Sequence, residues 1–476
     1  MDEFGLAIAS LQDTCQWELL QKNLPTAMQQ LRFQVELGKD PSLGPFHLLN
    51  LWGMEGGPDY ELVEKALRLF AQHAEKKARK ELELLRSSAK KKAPPRIVAQ
   101  KQSPSTGIKM GYVTADLRHT PWWQLKKAAL LALASRHTLF LFSRPPVQLD
   151  GDPHYLALKG LCTIIEFEEH ASDASVAECI RTYKLDVLMD AGGPTFGCFT
   201  GVMALLPDIL RGAHLGYPGT QPGGHIDFTV VDQHVVIPGE IQAEKAEEAL
   251  MYLGCYQPND SFRTSVAICP VPETTRSDWN LPDNKFVFAF FCRLGRISQP
   301  LIEAFAEILT ATTNTVLWIR DTPSPAVMRV KRRFLIKGIA EGRLILASDV
   351  PNEEHKERLR HADLGLDSNI YGGHTTASDF LIRGVPYLAL MGGWWQARVS
   401  TSLVNNMMGD IASEFVCCSL EDFRTRAINF ATVGSEDLKG HRAQIQSKVE
   451  SGLGICDGES WVSDYERGIL EFVRQK

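Results

Sequence analysis

The chain has 476 residues, of which 23% are charged and 44% hydrophobic, so we expect a globular protein of two or three domains. A net charge of -6 gives no general attraction for nucleic acid or for an anionic membrane. The ten cysteines are scattered without a Cys-x-x-Cys pair, and no apolar run reaches transmembrane length. The start of the chain does not resemble a signal peptide. These features predict a cytoplasmic or nuclear protein that binds neither nucleic acid nor membrane.

Residues 1–90 are predicted to form a helical connector region. Apolar residues recur at helical spacing between Leu11 and Met28 and again between Leu62 and Phe70. We find no 34-residue helical repeat in this region. Residues 91–107 are predicted to be a linker, because Lys90-Lys91-Lys92-Ala93-Pro94-Pro95 is polar and contains proline. The three lysines are too short a run to indicate a nuclear import signal.

Strands and helices alternate in residues 108–262 and again in residues 263–476, so each segment is predicted to form one lobe. Such alternation indicates a parallel sheet covered on both faces, and two such lobes predict a Rossmann-like pair with a ligand cleft between them. The predicted strands are Ile108–Thr114, Thr138–Phe142, Thr163–Phe167, Asp186–Met189, Phe228–Val231, Phe286–Phe291, Thr315–Ile319, Leu344–Leu346, Leu364–Leu366 and Tyr387–Leu390.

Two familiar ligand motifs carry no prediction here. The first strand continues as Gly111-Tyr112-Val113-Thr114-Ala115-Asp116 without Gly-x-Gly-x-x-Gly, which disfavours a nicotinamide dehydrogenase. Asp150-Gly151-Asp152 resembles the Asp-x-Asp of metal-dependent glycosyltransferases, but it lies in a polar loop that contains proline. We therefore predict no metal site.

The segment from Val350 to Val399 has the strongest functional pattern. A short apolar strand is followed by the loop Tyr371-Gly372-Gly373, and helical spacing resumes after it, so His374, Thr375 and Thr376 are predicted at a helix start. A helix start offers unpaired N–H groups and the positive end of the helix dipole, which suits a phosphate. For an isolated Thr-Thr pair, a simple N-cap would be the better interpretation.

Several stretches resemble the nucleocytoplasmic O-linked N-acetylglucosamine transferases and, more distantly, the plant Spindly proteins. They are the strand and loop from Gly111 to Pro121, Gly192–Thr195, the Leu-Gly-Tyr-Pro-Gly-Thr run at 215–220, Phe291–Ile297, Glu353-Glu354-His355 and Gly373–Thr376. The resemblance implies an α/β protein: a GT-B-type pair of Rossmann-like lobes with a short all-α N-terminal region. It also implies metal-independent, inverting transfer of N-acetylglucosamine from a uridine-diphosphate sugar to Ser/Thr hydroxyls of proteins, without a cofactor.

The resemblance also assigns residues to the sugar-nucleotide donor. His355 would pack on the nucleotide base, with Arg358 one helical turn further on. His374, Thr375 and Thr376 would bind the phosphates, and Asp379 would lie near the ribose. Arg293 and Arg296 complete the predicted set; they stand where the family has a glutamine and a phosphate-binding lysine, and Asn352 replaces another lysine.

On the acceptor side, His119 and Arg296 are the catalytic candidates. The family has a histidine in the loop after the first strand, and here His119 lies one position early, with Thr120 in the expected place. The acceptor proton could go to His119 or to a donor phosphate oxygen. Gly216, Tyr217 and Pro218 would form a rigid turn beside the cleft.

Two alternatives stay open. The Spindly likeness allows a protein O-fucosyltransferase, and the substitutions at Arg293, Arg296, Asn352 and His119 allow a nucleotide-binding pseudoenzyme or scaffold. The expected partners are a nucleotide-sugar donor and a protein or peptide acceptor. Because helical repeats collect substrate in this family and are absent here, a separate substrate-recruiting partner is also expected.

Overall fold

The computed structural model describes residues 3–87, 95–100, 107–259, 273–433 and 435–476. Residues 3–87 contain helices and no strand, which confirms the all-α N-terminal region. The longest helix is amphipathic, with Leu62, Val63, Ala66, Leu67 and Ala71 buried along one face. The helices are α1 (Glu3–Asp13), α2 (Trp17–Glu36), α3 (Pro45–Leu51) and α4 (Tyr60–Ser87).

The first lobe is an eight-stranded sheet with the strand order β1-β4-β3-β2-β5-β6-β7-β8. Its strands run parallel except β1, which pairs antiparallel with β4. Its elements are β1 (Arg96–Ala99), β2 (Lys109–Thr114), α5 (Pro121–Arg136), β3 (Thr138–Ser143), α6 (Pro153–Lys159), β4 (Thr163–Glu166), α7 (Asp173–Arg181), β5 (Val187–Asp190), α8 (Thr200–Ala204), β6 (Leu210–Ala213), β7 (Phe228–Asp232), α9 (Ile241–Glu244) and β8 (Ala249–Leu253).

Residues 91–107 are predicted to be a linker, but the structure has strand β1 within this segment. Residues 91–94 and 101–106, and the lysines at 90–92, lie outside the described residues. In the described part, Ile97 pairs with Ile165 on the free edge of β4. The β-branched pair Ile97-Val98 suits an extended backbone, and a sheet edge offers it unpaired N–H and C=O groups.

The second lobe is a six-stranded, all-parallel sheet with the order β11-β10-β9-β12-β13-β14. Central strands such as β9 are buried along their whole length, as parallel sheets covered on both faces require. Its elements are β9 (Phe286–Phe290), α10 (Gln299–Ala311), β10 (Thr315–Arg320), α11 (Ser324–Ile336), β11 (Leu344–Ala347), α12 (Asn352–Arg358), β12 (Leu364–Leu366), α13 (Thr375–Ile382), β13 (Tyr387–Leu390), α14 (Val399–Met408), β14 (Val416–Cys417), α15 (Leu420–Val433), α16 (Ser435–Ser451) and α17 (Gly458–Gln475).

The two sheets confirm the predicted α/β class and the pair of Rossmann-like lobes, but the compact units do not follow chain order. The predicted domains were 1–90, 108–262 and 263–476. One unit joins Met1–Arg32 and Ser42–Asp59 to Ile268–Cys456. The other unit joins Phe33–Pro41, Tyr60–Ala267 and Asp457–Lys476. Helices α1 and α3 therefore pack with the second lobe, whereas α4 and α17 pack with the first.

Aromatic residues of α17 explain why the C-terminal helix belongs to the first lobe. Phe472 stacks on Phe228 with ring centroids 4.6 Å apart. Tyr465 and Trp461 cover the buried amine of Lys126, which lies 4.2 and 4.6 Å from their ring centroids. Burial lowers the pKa of Lys126 well below its ordinary value, so the helix covers an amine that is desolvated.

Each sheet has a point at which the strand order reverses, between β2 and β5 in the first lobe and between β9 and β12 in the second. Ligands of open α/β sheets bind outside the carboxyl ends of the strands at such points. The loops that leave β2, β9 and β12 contain the predicted site residues His119, Arg293, Arg296 and His374. No helix in the described ranges is long and apolar enough to span a membrane.

Candidate functional site

In the second lobe, the two loops at the strand-order reversal are bonded to each other. The turn after β9 contains Arg296, and its carbonyl oxygen accepts a hydrogen bond from Ser368, 2.7 Å away in the loop after β12. Ser298 donates to Asn369 of the same loop at 2.9 Å. In return, the Arg296 guanidinium donates to the Gly372 carbonyl at 3.2 Å. These bonds fix the arginine beside the start of α13.

A stack of three side chains lies at this point. The Arg296 guanidinium carbon is 3.8 Å from the ring centroid of Tyr371. The imidazole of His374 also stacks on Tyr371, with ring centroids 4.7 Å apart and an interplanar angle of 28°. Planar cation–ring contacts at such distances are attractive and orient the guanidinium. The sequence prediction included Arg296 and His374 but missed Tyr371, the buried ring that joins them.

His374 immediately precedes α13, and its imidazole has a defined hydrogen-bond role. Its Nε2 lies 3.1 Å from the Gln396 carbonyl oxygen, which can only accept, so Nε2 carries the hydrogen. Burial and the neighbouring Arg296 charge lower the pKa of His374 to about 3. The ring is therefore neutral, and Nδ1 can donate to a phosphate only after protonation. The remaining donors at this helix start are the first N–H groups and the hydroxyls of Thr375 and Thr376.

Asp367, immediately after β12, organises the loop that leads to His374. The carboxylate is completely buried and accepts hydrogen bonds from the Gly373 N–H at 2.7 Å and the Leu390 N–H at 3.0 Å. The hydroxyls of Tyr387 and Ser400 donate to it as well. Sequence reasoning did not assign this residue a role. Its position directly after a buried parallel strand was the available signal.

His355 lies on α12 beside the end of β9, where its ring meets Phe291 edge-on with centroids 5.2 Å apart. Arg358 donates to His355 Nδ1 from Nε at 3.1 Å and from Nη2 at 2.8 Å. Because Nδ1 accepts, the hydrogen of the neutral ring is on Nε2. Burial and the Arg358 charge lower the pKa of His355 to about 3.

The side chain of Arg358 is buried, and its Nη1 donates to the Ser348 carbonyl at 2.6 Å. Its geometry is therefore that of a residue that orients His355. Direct contact between Arg358 and the nucleotide stays a prediction.

Asp379 lies on α13, where burial raises the pKa of its carboxyl to about 7 against the opposing charge of Lys356. Such a carboxyl can donate to or accept from a hydroxyl near neutral pH.

The N-terminal helices fix the arginine turn from its other side. Cys15 Sγ donates to the Leu294 carbonyl at 3.2 Å, and Trp17 Nε1 donates to the Ile297 carbonyl at 2.7 Å. A Cβ atom on Gly295 would lie only 2.8 Å from the Cα of Asp13, so glycine is required where helix α1 contacts the turn. The helical region is thus part of the donor-side structure.

Trp17→Phe is expected to lower the free energy of unfolding by about 1–2 kcal/mol, because it removes the donor and leaves the Ile297 carbonyl unpaired. Urea titration measures this. Trp122→Phe is the matched control, because the buried Trp122 Nε1 has no hydrogen-bond partner among the described residues. Its cost should stay below that of Trp17→Phe, and equal costs would contradict the assigned role of the Trp17 bond.

In the first lobe, the predicted catalytic residue His119 is exposed in the loop before α5. It makes no side-chain hydrogen bond with any described residue. Thr120, in the position where the family has its histidine, is the N-cap of α5: its Oγ1 accepts from the Trp123 N–H at 3.4 Å and donates to the Asp116 carbonyl at 3.2 Å. Thr120, at the position where the family has its histidine, is therefore a helix cap. The catalytic role of His119 stays a prediction.

The two other motifs of the first lobe pack directly against each other. A Cβ on Gly216 would lie 2.3 Å from the Ala191 carbonyl oxygen, and one on Gly193 would lie 2.5 Å from the Cβ of Tyr217. Gly193 also has a φ of +61°. The turn Gly216-Tyr217-Pro218 thus rests on the loop after β5 and requires its glycines at both contacts.

Asp190, at the end of β5, holds that loop through hydrogen bonds from the N–H groups of Gly192 at 3.0 Å and Gly193 at 2.8 Å. Both bonds use Oδ1, whereas Oδ2 is buried and has no partner among the described residues. Burial raises the pKa of Asp190 from 3.8 to about 6. Because the folded-state pKa is above the ordinary value, ionisation of the buried Asp190 carboxyl lowers the free energy of unfolding. This loss is absent below about pH 4 and complete above about pH 6.

Asp190→Asn is therefore expected to increase the free energy of unfolding by about 1 kcal/mol at neutral pH and by much less near pH 4. The pKa shift corresponds to a cost on the order of 3 kcal/mol, and the unpaired amide donor of asparagine offsets part of the gain. Urea titrations at the two pH values measure the difference. A change in the free energy of unfolding that is the same at both pH values would contradict the inference that the buried Asp190 carboxyl is ionised at neutral pH.

The Asp150-Gly151-Asp152 segment has a structural role. Asp152 Oδ1 caps α6 by accepting from the N–H groups of His154 and Tyr155 at 2.9 and 3.0 Å, and Oδ2 accepts from Trp123 Nε1 at 3.0 Å. A carboxylate used in this way is a helix cap. In the described ranges, no group of three or more His, Cys, Asp or Glu side chains is arranged to hold a metal ion.

Comparison with known proteins agrees with this geometry. Residues 263–457 match the model of glycosyl transferase family 41. The probable UDP-N-acetylglucosamine–peptide N-acetylglucosaminyltransferase SEC of Arabidopsis thaliana is 25% identical over 474 residues, which is 97% of this chain and 46% of SEC. The SPINDLY protein of Hordeum vulgare, named as a probable enzyme of the same activity, is 26% identical over 62% of this chain and 30% of its own length.

The chain is similar to an O-GlcNAc transferase-type protein over nearly its whole length. Its fold is that of the Thermobaculum terrenum O-GlcNAc transferase, solved as a point mutant, with a TM-score of 0.65 and 20% identity over 99% of this chain and 90% of that one. The Anabaena HepE protein, solved with UDP and glucose, matches 78% of this chain and all of its own, with a TM-score of 0.50 and 13% identity. These neighbours confirm the GT-B-type lobes, and the matches indicate a glycosyltransferase.

The sequence comparisons cover only part of the relatives, and the family match covers only part of this chain. The chain spans less than half the length of the SEC and SPINDLY proteins. The family match falls on the second lobe, where Arg296, His355 and His374 surround the end of β9. It does not reach His119 or the Gly216–Pro218 turn, which lie in the first lobe.

Proposed function

We propose that this chain transfers N-acetylglucosamine from UDP-N-acetylglucosamine to Ser/Thr hydroxyls of proteins, with inversion and without a metal ion. The observation that carries the proposal is the stack of Arg296, Tyr371 and His374 at the start of α13. It combines a fixed cation with a helix start at a strand-order reversal, and both features suit a diphosphate. The likeness to SEC and SPINDLY supports the choice of donor and acceptor.

The leaving group of such a transfer is a nucleoside diphosphate, which gains negative charge as the glycosidic bond breaks. Arg296 is held by Gly372 and Tyr371, so it needs little rearrangement to face that charge. Preorganised donors of this kind stabilise a developing charge more than mobile ones do. The helix-start N–H groups and the hydroxyls of Thr375 and Thr376 add to the effect, which makes a metal ion unnecessary for charge compensation.

The nucleotide base would pack on His355, whose tautomer Arg358 fixes. A neutral ring with hydrogen on Nε2 offers one donor and an uncharged face. Asp379 would contact a ribose hydroxyl. In the transfer itself, the acceptor oxygen bonds to the anomeric carbon as the bond from that carbon to the phosphate oxygen breaks. The acceptor proton goes to His119 or to a donor phosphate oxygen.

The test uses purified full chain, labelled sugar nucleotides and a Ser/Thr-rich peptide, beside His374→Ala and the exposed-site control Asp410→Asn. UDP binding and label incorporation are measured separately. We expect incorporation from UDP-N-acetylglucosamine, a loss with His374→Ala of at least about tenfold, and no change with Asp410→Asn.

Three other results would each contradict this proposal. Incorporation from a guanosine-diphosphate fucose donor alone would assign the Spindly-type fucosyl activity. Tight UDP binding without transfer or donor hydrolysis would assign a nucleotide-binding pseudoenzyme or scaffold. The absence of binding of either nucleotide would contradict the assignment of the site itself.

A further inference from the structure

Helix α11 of the second lobe has an exposed apolar side that takes no part in the donor site. Met328, Leu335 and Ile336 are 70%, 56% and 65% exposed. Leu335 and Ile336 follow Met328 by about two turns of an α-helix, so the three side chains lie on one side. The opposite side is buried through Val330 and Phe334, which anchor the helix on the lobe. The lobe therefore holds the apolar side in place toward solvent.

Positive charge accompanies this apolar side, and α11 contains no acidic residue. Arg332 lies one turn after Met328, is exposed, and makes no hydrogen bond or ion pair with any described residue. Arg329 donates from Nη1 to the carbonyl oxygens of Thr14 and Pro325, at 2.9 and 3.0 Å, so these bonds leave its charge uncompensated. We call the exposed side the α11 face; it consists of Met328, Arg332, Leu335 and Ile336.

Two other cations of α11 are paired within the lobe. Arg333 donates from Nε to Glu303 at 2.7 Å, and Lys331 Nζ lies 3.6 Å from a carboxylate oxygen of Glu341. Their charges are compensated, whereas those of Arg329 and Arg332 are not. The α11 face thus combines aliphatic side chains with a local surplus of positive charge, on a chain whose net charge is -6.

Charge restricts what this surface binds. Exposed apolar patches with polar borders mark interaction sites. A second copy of the chain would place the face against itself across a two-fold axis, so Arg332 would meet its own equivalent. An anionic membrane would attract a chain of net charge -6 only weakly. A protein segment that carries both aliphatic and acidic side chains satisfies the aliphatic residues and the arginines together.

We propose that the α11 face binds an acidic amphipathic helix of a partner protein. The aliphatic stripe of the partner would pack on Met328, Leu335 and Ile336, and a Glu or Asp carboxylate would accept from Arg332. Arg329 would add attraction at the border of the face. Opposite charges of this kind raise the association rate and select against basic partners. The inference is independent of the proposed transfer activity, because it uses no residue of the donor site.

The test is fluorescence anisotropy with the full chain and a fluorescein-labelled peptide of about 20 residues, which is long enough to form a helix. The peptide is built from Leu, Ala and Glu, with its leucines along one helical stripe. We expect it to bind the wild-type chain. Arg332→Glu and Leu335→Ser should each weaken binding at least about fivefold, because one reverses the central charge and the other removes an aliphatic contact.

The matched controls change exposed residues of the same compact unit. Lys439→Glu reverses a charge on α16, and Leu453→Ser removes a leucine that is 51% exposed. Both should keep the peptide affinity within about twofold of wild type. All four variants should keep the Kd for UDP within about twofold, and thermal unfolding shows that each retains the fold. Loss of UDP binding by the wild-type chain, with peptide binding intact, would contradict the proposed function and leave this inference standing.

Several results would overturn the inference. Failure of the wild-type chain to bind the peptide would do so, as would wild-type affinity in both Arg332→Glu and Leu335→Ser. Equal affinity for a peptide of the same composition with its leucines scattered around the helix would show that charge alone acts. A dimer in sedimentation that Leu335→Ser dissociates would reassign the face to a second copy. Binding to phosphatidylserine vesicles that Arg332→Glu abolishes, without peptide binding, would reassign it to a membrane surface.

Discussion

Replacing Arg296 by methionine is expected to weaken UDP binding about 100-fold. The change removes a fixed positive charge beside the start of α13 and keeps a side chain of similar length. A charge-assisted hydrogen bond to a phosphate is worth roughly 1.5–3 kcal/mol, which corresponds to a factor of about 10–150 in affinity. Titration calorimetry with UDP measures the loss.

Arg296→Lys separates charge from geometry at the same position. Lysine keeps the charge but cannot stack as a planar group on Tyr371, so we expect a smaller loss of about tenfold. Uridine, which has no phosphate, should bind all three proteins within about twofold. Arg332→Met, an exposed arginine on α11, is the control for net charge. Equal losses for uridine and UDP would show that Arg296 acts on the fold of the loop instead of the phosphates.

Replacing Asp367 by asparagine is expected to lower the free energy of unfolding by more than about 3 kcal/mol and to abolish UDP binding. Oδ1 accepts from Gly373 and Tyr387, and Oδ2 accepts from Leu390 and Ser400. Asparagine has one oxygen, so its NH₂ group must face an N–H or O–H donor in a fully buried site. Breaking a buried polar network in this way is among the costliest single substitutions.

Urea titration of Asp367→Asn, beside Ser400→Ala, measures that cost. Ser400→Ala removes one donor and leaves the others to the carboxylate, so it should lose only about 1 kcal/mol. Asp410→Asn makes the same chemical change at an exposed position and should cost little. An Asp367→Asn protein within about 1 kcal/mol of wild type would show that the carboxylate does not organise the Gly372–Gly373 loop.

Five of the six strands of the second lobe were predictable almost to the residue, whereas β14 was not predicted. Strand β12 and strand β13 have the predicted bounds, because parallel strands buried on both faces are short, continuous apolar runs between turn residues. Strand β1 was missed for the opposite reason: it is short, partly exposed and adjacent to a polar, proline-containing segment. Its strand conformation depends on the free edge of β4, which is far away in sequence.

The candidate site was predictable as a set of residue types but not as a set of contacts. A helix start at His374 follows from the glycines before it and the helical spacing after it. That the imidazole is neutral, with its hydrogen on Nε2, depends on the carbonyl of Gln396, a residue 22 positions later. Arg358 illustrates the same limit: the resemblance implied that it lies near the ligand, and only the packing shows that it donates to His355 and to the Ser348 carbonyl.

The sequence by itself determined the α/β class, the two sheets, the helical N-terminal region and the family to which the second lobe is similar. These depend on local periodicity and on short motifs, both of which are readable along the chain. Only the tertiary structure decided which helices belong to which lobe, that Tyr371 joins Arg296 to His374, and that Asp367 holds their loop. These features depend on burial and on hydrogen bonds between residues far apart in sequence, and no local pattern encodes such distances.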